Sequence, residues 1–340
     1  MTTIAANSTC RRQFVYDCGP AKLVIDFENA AWRESLHGLL SQYDAPWPAQ
    51  AQAITVSVNS DSFPAFQSGI IGRYLSLQRL RVDCIDGRLV SIGQLGSRME
   101  IEANAGCARI YIPPQSDDVA LVEEIEQHFV LLLARAWAHA GWVPVHAGSL
   151  VPADDSRCIL LCAPSGSGKT TLTASLLRRG WRTLGDDKTL LRLKAGAPCA
   201  RALARRFHLH PEAARWFPEA GSLTVWPRYS RWTEKRLVQI DEIWPGRLLD
   251  EATPAALVQL ERNPDGPAIT VVPIHANGVL NSLLRQVVIP GEPGHARPLV
   301  NCVAQTASRL KGARILIGPE AFASPGVADE LEQTLQGLLT

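Results

Sequence analysis

The stretch Cys158 to Thr171, CILLCAPSGSGKTT, holds the residues whose types and spacing are best suited to chemistry. An apolar run ends at Ala163, a glycine-rich turn follows, and Gly168-Lys169-Thr170 opens a helical pattern. Strand, loop and helix in that order are the context a phosphate-binding loop needs. Backbone N–H groups along Ser165, Gly166, Ser167, Gly168, Lys169, Thr170 and Thr171 can wrap a polyphosphate, and the helix start adds partial positive charge. Lys169 then reaches the β and γ phosphates, and Thr170 offers its hydroxyl to Mg²⁺. Ala163 stands where such loops usually begin with glycine, which leaves the cradle intact if that position needs no positive φ.

Two adjacent carboxylates, Asp186 and Asp187, follow downstream. At the end of a neighbouring strand they would flank the metal: one holds Mg²⁺ and the other accepts a proton from an attacking hydroxyl. Adjacent residues on a regular strand face opposite ways, so both serve one site only if the chain bends there, and Gly185 permits a bend. His146, in the run VPVHAGSLV, sits on an expected strand beside the loop strand. Lys235 and Arg236, cations in an alternating strand, read either as a solvated strand face or as charges that stabilise a transferring phosphoryl group. The basic run Arg201, Arg205, Arg206, His208 and His210 reads as a solvated surface.

These groups must be positioned by the rest of a 340-residue chain, long enough for two domains. Apolar residues make up 46% and charged residues 20%, which supports a sizeable core and argues against disorder. A net charge of +1 gives no global reason to expect nucleic acid or an anionic membrane as partner. The cysteines show no CxxC pair and no metal spacing with histidine, so they read as reduced core residues of a cytosolic protein. The start lacks an apolar signal core and no stretch is long enough to span a bilayer, so the expected location is the cytoplasm.

Residues 1–115 read as a β-rich α+β domain. Strands are expected around Phe14–Tyr16, Ala21–Ile25, Ala53–Val58, Leu77–Val82, Arg88–Ile92, Met99–Ile101 and Arg109–Ile112, with a short helix over Trp32–Leu40. Pro113-Pro114 and Ser116 to Asp118 mark a boundary, and residues 116–340 read as an α/β domain around the loop. It opens with a long amphipathic helix, Val119 to Ala140, ended by Gly141. One strand is expected over Val143–Val151, and another runs into Asp186-Asp187. Val225–Ile240 and Ala255–Glu261 read as strands, and Ile274–Val288 and Gly326–Leu339 as helices.

As a set, His146, Gly166 to Thr170, Arg179-Gly180-Trp181 and Asp186-Asp187 resemble the HPr kinase/phosphorylase family and its HPr-kinase-related serine kinases. The resemblance covers about residues 143 to 193. It implies a P-loop kinase core whose fold is similar to phosphoenolpyruvate carboxykinase around the nucleotide. It also implies ATP and Mg²⁺ as cofactors, a serine-type hydroxyl on a peptide or small protein as acceptor, and homo-oligomerisation. By that analogy Asp186 is the base, assisted by His146, and Asp187 with Thr170 handles the metal. His146 is followed by Ala147 before Gly148, where the regulatory enzymes have a direct histidine-glycine pair, and no Glu-Ile-Arg-Gly-like signature is present. These departures direct the expectation away from HPr and phosphorolysis and toward kinases that tailor ribosomally made, lasso-type precursor peptides.

Two other functions compete. One is a small-molecule alcohol kinase. The other is a regulatory or transport ATPase, because Pro164 to Thr171 resembles the loop of ABC transporter ATPases and Leu237 to Glu242, LVQIDE, mimics their strand ending in Asp-Glu. Gln239 interrupts that apolar run, and no Leu-Ser-Gly-Gly signature precedes it.

Overall fold

The computed structural model describes residues 13–43, 47, 52–61, 79–85, 88–102, 106–114, 119–164, 166–229, 233–288, 293–318 and 325–340. The N-terminal part contains β1 (Gln13–Cys18), β2 (Ala21–Phe27), α1 (Ala30–Ser41), β3 (Gln52–Ser60), β4 (Leu80–Ile85), β5 (Arg88–Gly93), β6 (Arg98–Ile101) and β7 (Cys107–Ile112). They form a seven-stranded sheet in the order β1-β2-β3-β7-β6-β5-β4. β2, β3 and β7 run parallel, and the remaining pairs are antiparallel. The parallel β2-β3 pair requires a crossover, and α1 supplies it.

The long helix α2 (Val119–His139) covers this sheet, as its periodicity demands. Leu121, Val122, Ile125, Phe129, Leu132, Leu133 and Ala136 are all buried, packed in one apolar cluster with Leu23, Ile25, Val56 and Ile110. Gly141 ends the helix with φ +75°. The same cluster takes in Trp142, Leu190, Leu203 and Val288, and Trp137 Nε1 donates to the Cys18 carbonyl at 2.8 Å. The core thus draws on residues from both sides of position 115.

The second sheet has eight strands. Its members are β8 (Val143–Val145), β9 (Gly148–Leu150), β10 (Arg157–Cys162), β11 (Thr189–Lys194), β12 (Ala197–Ala202), β15 (Glu251–Arg262), β16 (Ile269–Ile274) and β17 (Lys311–Ile317). Between β12 and β15 lie β13 (Arg206–Leu209) and β14 (Arg236–Gln239), a separate antiparallel ribbon, and the short helix α4 (Ile240–Ile243). β10, β15 and β17 run parallel, with β16 antiparallel at the edge. The sheet forks on the long strand β15: its first residues pair with β12, and Thr253 onward pairs with β10. One branch continues through β11 to β8, and the other ends in β9. Helix α3 (Lys169–Arg178) and α7 (Pro325–Gly337) pack on one face, and α5 (Ala276–Leu284) and α6 (Pro293–Ala307) on the other. Among the described residues no helix is long and apolar enough to cross a membrane.

Several sequence expectations are corrected. The strand expected over Val143–Val151 is broken at His146-Ala147, because its halves pair with different branches of the fork. The segment before Asp186 is no strand but two isolated bridges, at Arg182 and Thr183. Of Val225–Ile240 only Arg236–Gln239 is a strand: Leu223–Val225 is a 3₁₀ turn and Ile240 begins α4. Ile274 ends β16, and the helix after it starts at Ala276. Helix α6 had no forecast, since Pro298 lies inside it and prolines argue against helix. Ser116, Asp117 and Asp118 fall outside the described residues.

Candidate active site

Strand β10 is apolar and buried from Cys158 to Cys162 because it lies inside the sheet with helices on both faces. Its carboxyl end opens into Ala163-Pro164, and Ser167 N–H donates back to the Pro164 carbonyl at 3.2 Å. Gly166 and Gly168 have φ +79° and +95°, conformations that disfavour any side chain. Ala163 is not among the positive-φ residues, so alanine is tolerated at the head of the loop. No side chain caps α3, so its first N–H groups stay open toward the cavity in front of the loop.

Opposite the loop the chain makes a bend. The Thr183 hydroxyl donates to the Ser149 carbonyl at 2.7 Å and accepts from Gly185 N–H at 2.9 Å, which turns the chain out of line. Gly185 fits there because a Cβ would lie 2.3 Å from the Ala204 carbonyl oxygen. The bend sends both aspartates to one site. Thr170 Oγ1 donates to Asp186 Oδ2 at 2.6 Å. Asp187 Oδ1 accepts from Lys169 Nζ at 2.5 Å and from His146 Nε2 at 2.8 Å. A carboxylate only accepts, so His146 carries its hydrogen on Nε2. The pairs are exchanged relative to expectation: His146 serves Asp187, and Thr170 serves Asp186.

The two carboxyls differ electrostatically. Burial pushes Asp186 up to about 6, against the opposing pull of Lys169. Burial also acts on Asp187, but Lys169 and the His146 hydrogen bond outweigh it and hold that carboxyl well below the usual range. Asp186 Oδ1 is buried and has no hydrogen-bond partner. Lys188 extends from the bend toward the N-terminal part, donating to Gln42 Oε1 at 2.7 Å and standing 3.9 Å from Asp187 Oδ2.

These residues line a cavity of about 380 Å³. His146, Gly166, Gly168, Lys169, Thr170, Thr171, Asp186, Asp187 and Lys235 all contribute, while Ser167 is buried beneath the loop. Ser165 lies outside the described residues. Arg236 does not reach the cavity: its guanidinium donates to the Trp226 carbonyl at 3.2 Å and stands 3.7 Å from Glu234. Neighbours in an extended segment point opposite ways, so Lys235 and Arg236 cannot both face it. The basic run divides similarly. Arg201 and Arg205 pair with Glu251 and Asp250, whereas His208 and His210 form a cavity wall. Arg262, at the carboxyl end of β15, completes the lining and carried no sequence signal. Among the described residues no three His, Cys, Asp or Glu side chains are grouped to hold a metal alone.

No protein-family model matches the chain, and no curated protein matches it. Among solved structures it has a distant similarity to the Hpr(Ser) kinase/phosphatase from Coxiella burnetii. The identity is 10%, the match covers 57% of this chain and 94% of that one, and the TM-score is 0.31. A likeness at that level is too slight to support a reading of activity.

Proposed function

We propose that the chain is an ATP- and Mg²⁺-dependent kinase that phosphorylates a serine-type hydroxyl on a peptide or small protein, ribosomally made precursor peptides included. The observation that carries this reading is the division between two adjacent carboxylates at the open N-terminus of α3. One is bound to Thr170 and keeps a buried, unpartnered oxygen; the other is held ionised by Lys169 and His146.

The residues fit the substrate and the ion. Gly166, Gly168 and the first turn of α3 present N–H groups to a polyphosphate, while the Ser167 N–H is turned back onto the Pro164 carbonyl. Lys169, now paired with Asp187, would exchange that partner for the phosphates. Thr170 and Asp186 would hold Mg²⁺, and the orphaned Asp186 Oδ1 is the free ligand atom. Mg²⁺ keeps most of its shell as water and phosphate oxygen, so one carboxylate and one hydroxyl suffice. When bound, the ion supplies charge neutralisation at the phosphates. Asp187 takes the acceptor proton, and His146 holds its carboxylate in place. The hydroxyl oxygen bonds to the γ phosphorus, the bond from that phosphorus to the β–γ bridging oxygen breaks, and ADP leaves with the electron pair.

The transport-ATPase alternative is disfavoured by the ribbon. Its Asp-Glu pair, Asp241 and Glu242, lies in α4 beyond β14, off the sheet that holds the loop strand, and neither lines the cavity. The test is labelled ATP with Mg²⁺ and a candidate acceptor peptide. Phosphoserine that is lost with Asp187→Asn supports the kinase. Hydrolysis that ignores the acceptor and yields no phosphorylated product overturns it.

A further inference from the structure

Resting on the kinase reading, we infer that His208 is the acceptor-orienting residue: its imidazole and the Asp187 carboxylate bracket the hydroxyl that is phosphorylated. The phosphate side of the cavity is fully furnished by the glycine loop, Lys169, Thr170 and Asp186. The wall built from β13 and its continuation (His208, Leu209, His210, Ala213) lines the same cavity and has no role in the phosphate and metal contacts proposed above.

His208 is fixed from behind. Its flanking residues Phe207 and Leu209 are buried in the cluster that packs β13 against Ala174 and Leu177 of α3. The imidazole lies on the Tyr229 ring, 4.3 Å between centroids, and the Tyr229 hydroxyl donates to Glu126 Oε1 at 3.4 Å. The residue also lines the cavity. Its Nε2 is shut off from solvent and has no hydrogen-bond partner. Unpartnered buried nitrogen in a cavity wall is uncommon and marks a place where a ligand completes the bonding.

The charge state narrows the ligand. Burial, with Lys188 nearby, depresses the imidazole to about 3 and keeps it neutral, with Asp187 close enough to oppose the shift. A neutral imidazole offers one donor and one acceptor, which suits a hydroxyl or an amide rather than a phosphate. An aliphatic hydroxyl placed there gives its hydrogen to Asp187 and accepts from the imidazole, with a lone pair left to face the phosphorus.

The test uses the full chain, Mg²⁺, labelled ATP and a positional-scanning library of serine-centred peptides, with a fluorescent N-methylanthraniloyl-ADP titration beside it. His208→Phe is expected to lower acceptor kcat/KM about 10-fold, the loss of one neutral hydrogen bond in the transition state, while ADP affinity stays within about twofold. His208→Gln, which restores a donor, is expected to recover most of that loss. Should the phenylalanine variant not fold, His208→Asn, polar but too short to reach, is expected to show the same selective defect. Unchanged acceptor turnover, or an equal loss of ADP affinity, overturns the assignment while the kinase reading stands. A wild-type chain that binds the ADP probe and phosphorylates no peptide fails as a kinase, and the acceptor role falls with it.

Discussion

Lys169 Nζ lies 2.5 Å from Asp187 Oδ1, so the lysine at the start of α3 is held by the carboxylate proposed as base. Nucleotide phosphates must compete with Asp187 for that ammonium group. Once they win, Asp187 keeps His146 as its partner and is released toward the acceptor.

Asp187→Asn therefore separates two roles. Phosphoserine formation is expected to fall by about 10³-fold, the scale of a lost general base. Affinity for ADP is expected to hold or tighten, because Lys169 is no longer held by a charge. Parallel loss of both in the fluorescent ADP titration would assign Asp187 to nucleotide binding instead.

Thr170 and Asp186 are joined by one hydrogen bond of 2.6 Å, and the proposal makes them neighbours in the Mg²⁺ shell. Thr170→Val keeps the shape of the side chain and removes the hydroxyl. The Mg²⁺ concentration for half-maximal turnover is expected to rise about tenfold, while Thr170→Ser stays near the wild type. A Mg²⁺ titration that does not distinguish valine from serine would remove Thr170 from the metal site.

Asp186 sets a pH limit on metal binding. Burial raises its carboxyl to about 6, so it is ionised above that pH and protonated below it. Its charged form opposes folding above about pH 6, and that penalty fades as the pH falls. Protons and Mg²⁺ compete for the same oxygen. Apparent Mg²⁺ affinity should be flat from pH 7 to 8 and fall about tenfold per unit below pH 6. Thermal stabilisation by Mg²⁺ and ADP should be smaller at pH 5 than at pH 7.5, by at most about 1.4 kcal/mol for the tenfold weaker Mg²⁺ affinity. In Asp186→Asn that pH dependence should disappear; its persistence would place the titrating group elsewhere.

The parts of the site that can be read in the sequence are those encoded locally. The glycine loop, α3 and the Asp186-Asp187 pair follow from short-range spacing, and the α2 face follows from its period. The partner of each aspartate is not local. It depends on a bend at Gly185 that Thr183, Ser149 and Ala204 impose from different elements. His208 and His210 looked like surface because nothing nearby in the chain says that β13 packs on α3. Arg262 enters the site only because β15 runs parallel to β10, which brings their carboxyl ends side by side.

Gly148 shows how tightly that bend is held. It follows the break between β8 and β9, and a Cβ there would lie 2.4 Å from the Asp186 carbonyl oxygen. Both sides of that contact are backbone, so no side chain can yield. Ser149 N–H also donates to the Gly185 carbonyl at 3.0 Å, which ties the two segments together. Gly148→Ala must push Asp186 away from Thr170 or break this tie. A stability loss of about 1–3 kcal/mol is expected from the overpacking, with phosphoryl transfer impaired beyond what the remaining folded fraction explains. Gly337→Ala is the control: a Cβ at that position meets nothing within 4 Å, and no loss of stability is expected. Denaturant midpoints for the two variants give the comparison, and equal midpoints would mean that β9 moves freely against the aspartates and does not position them.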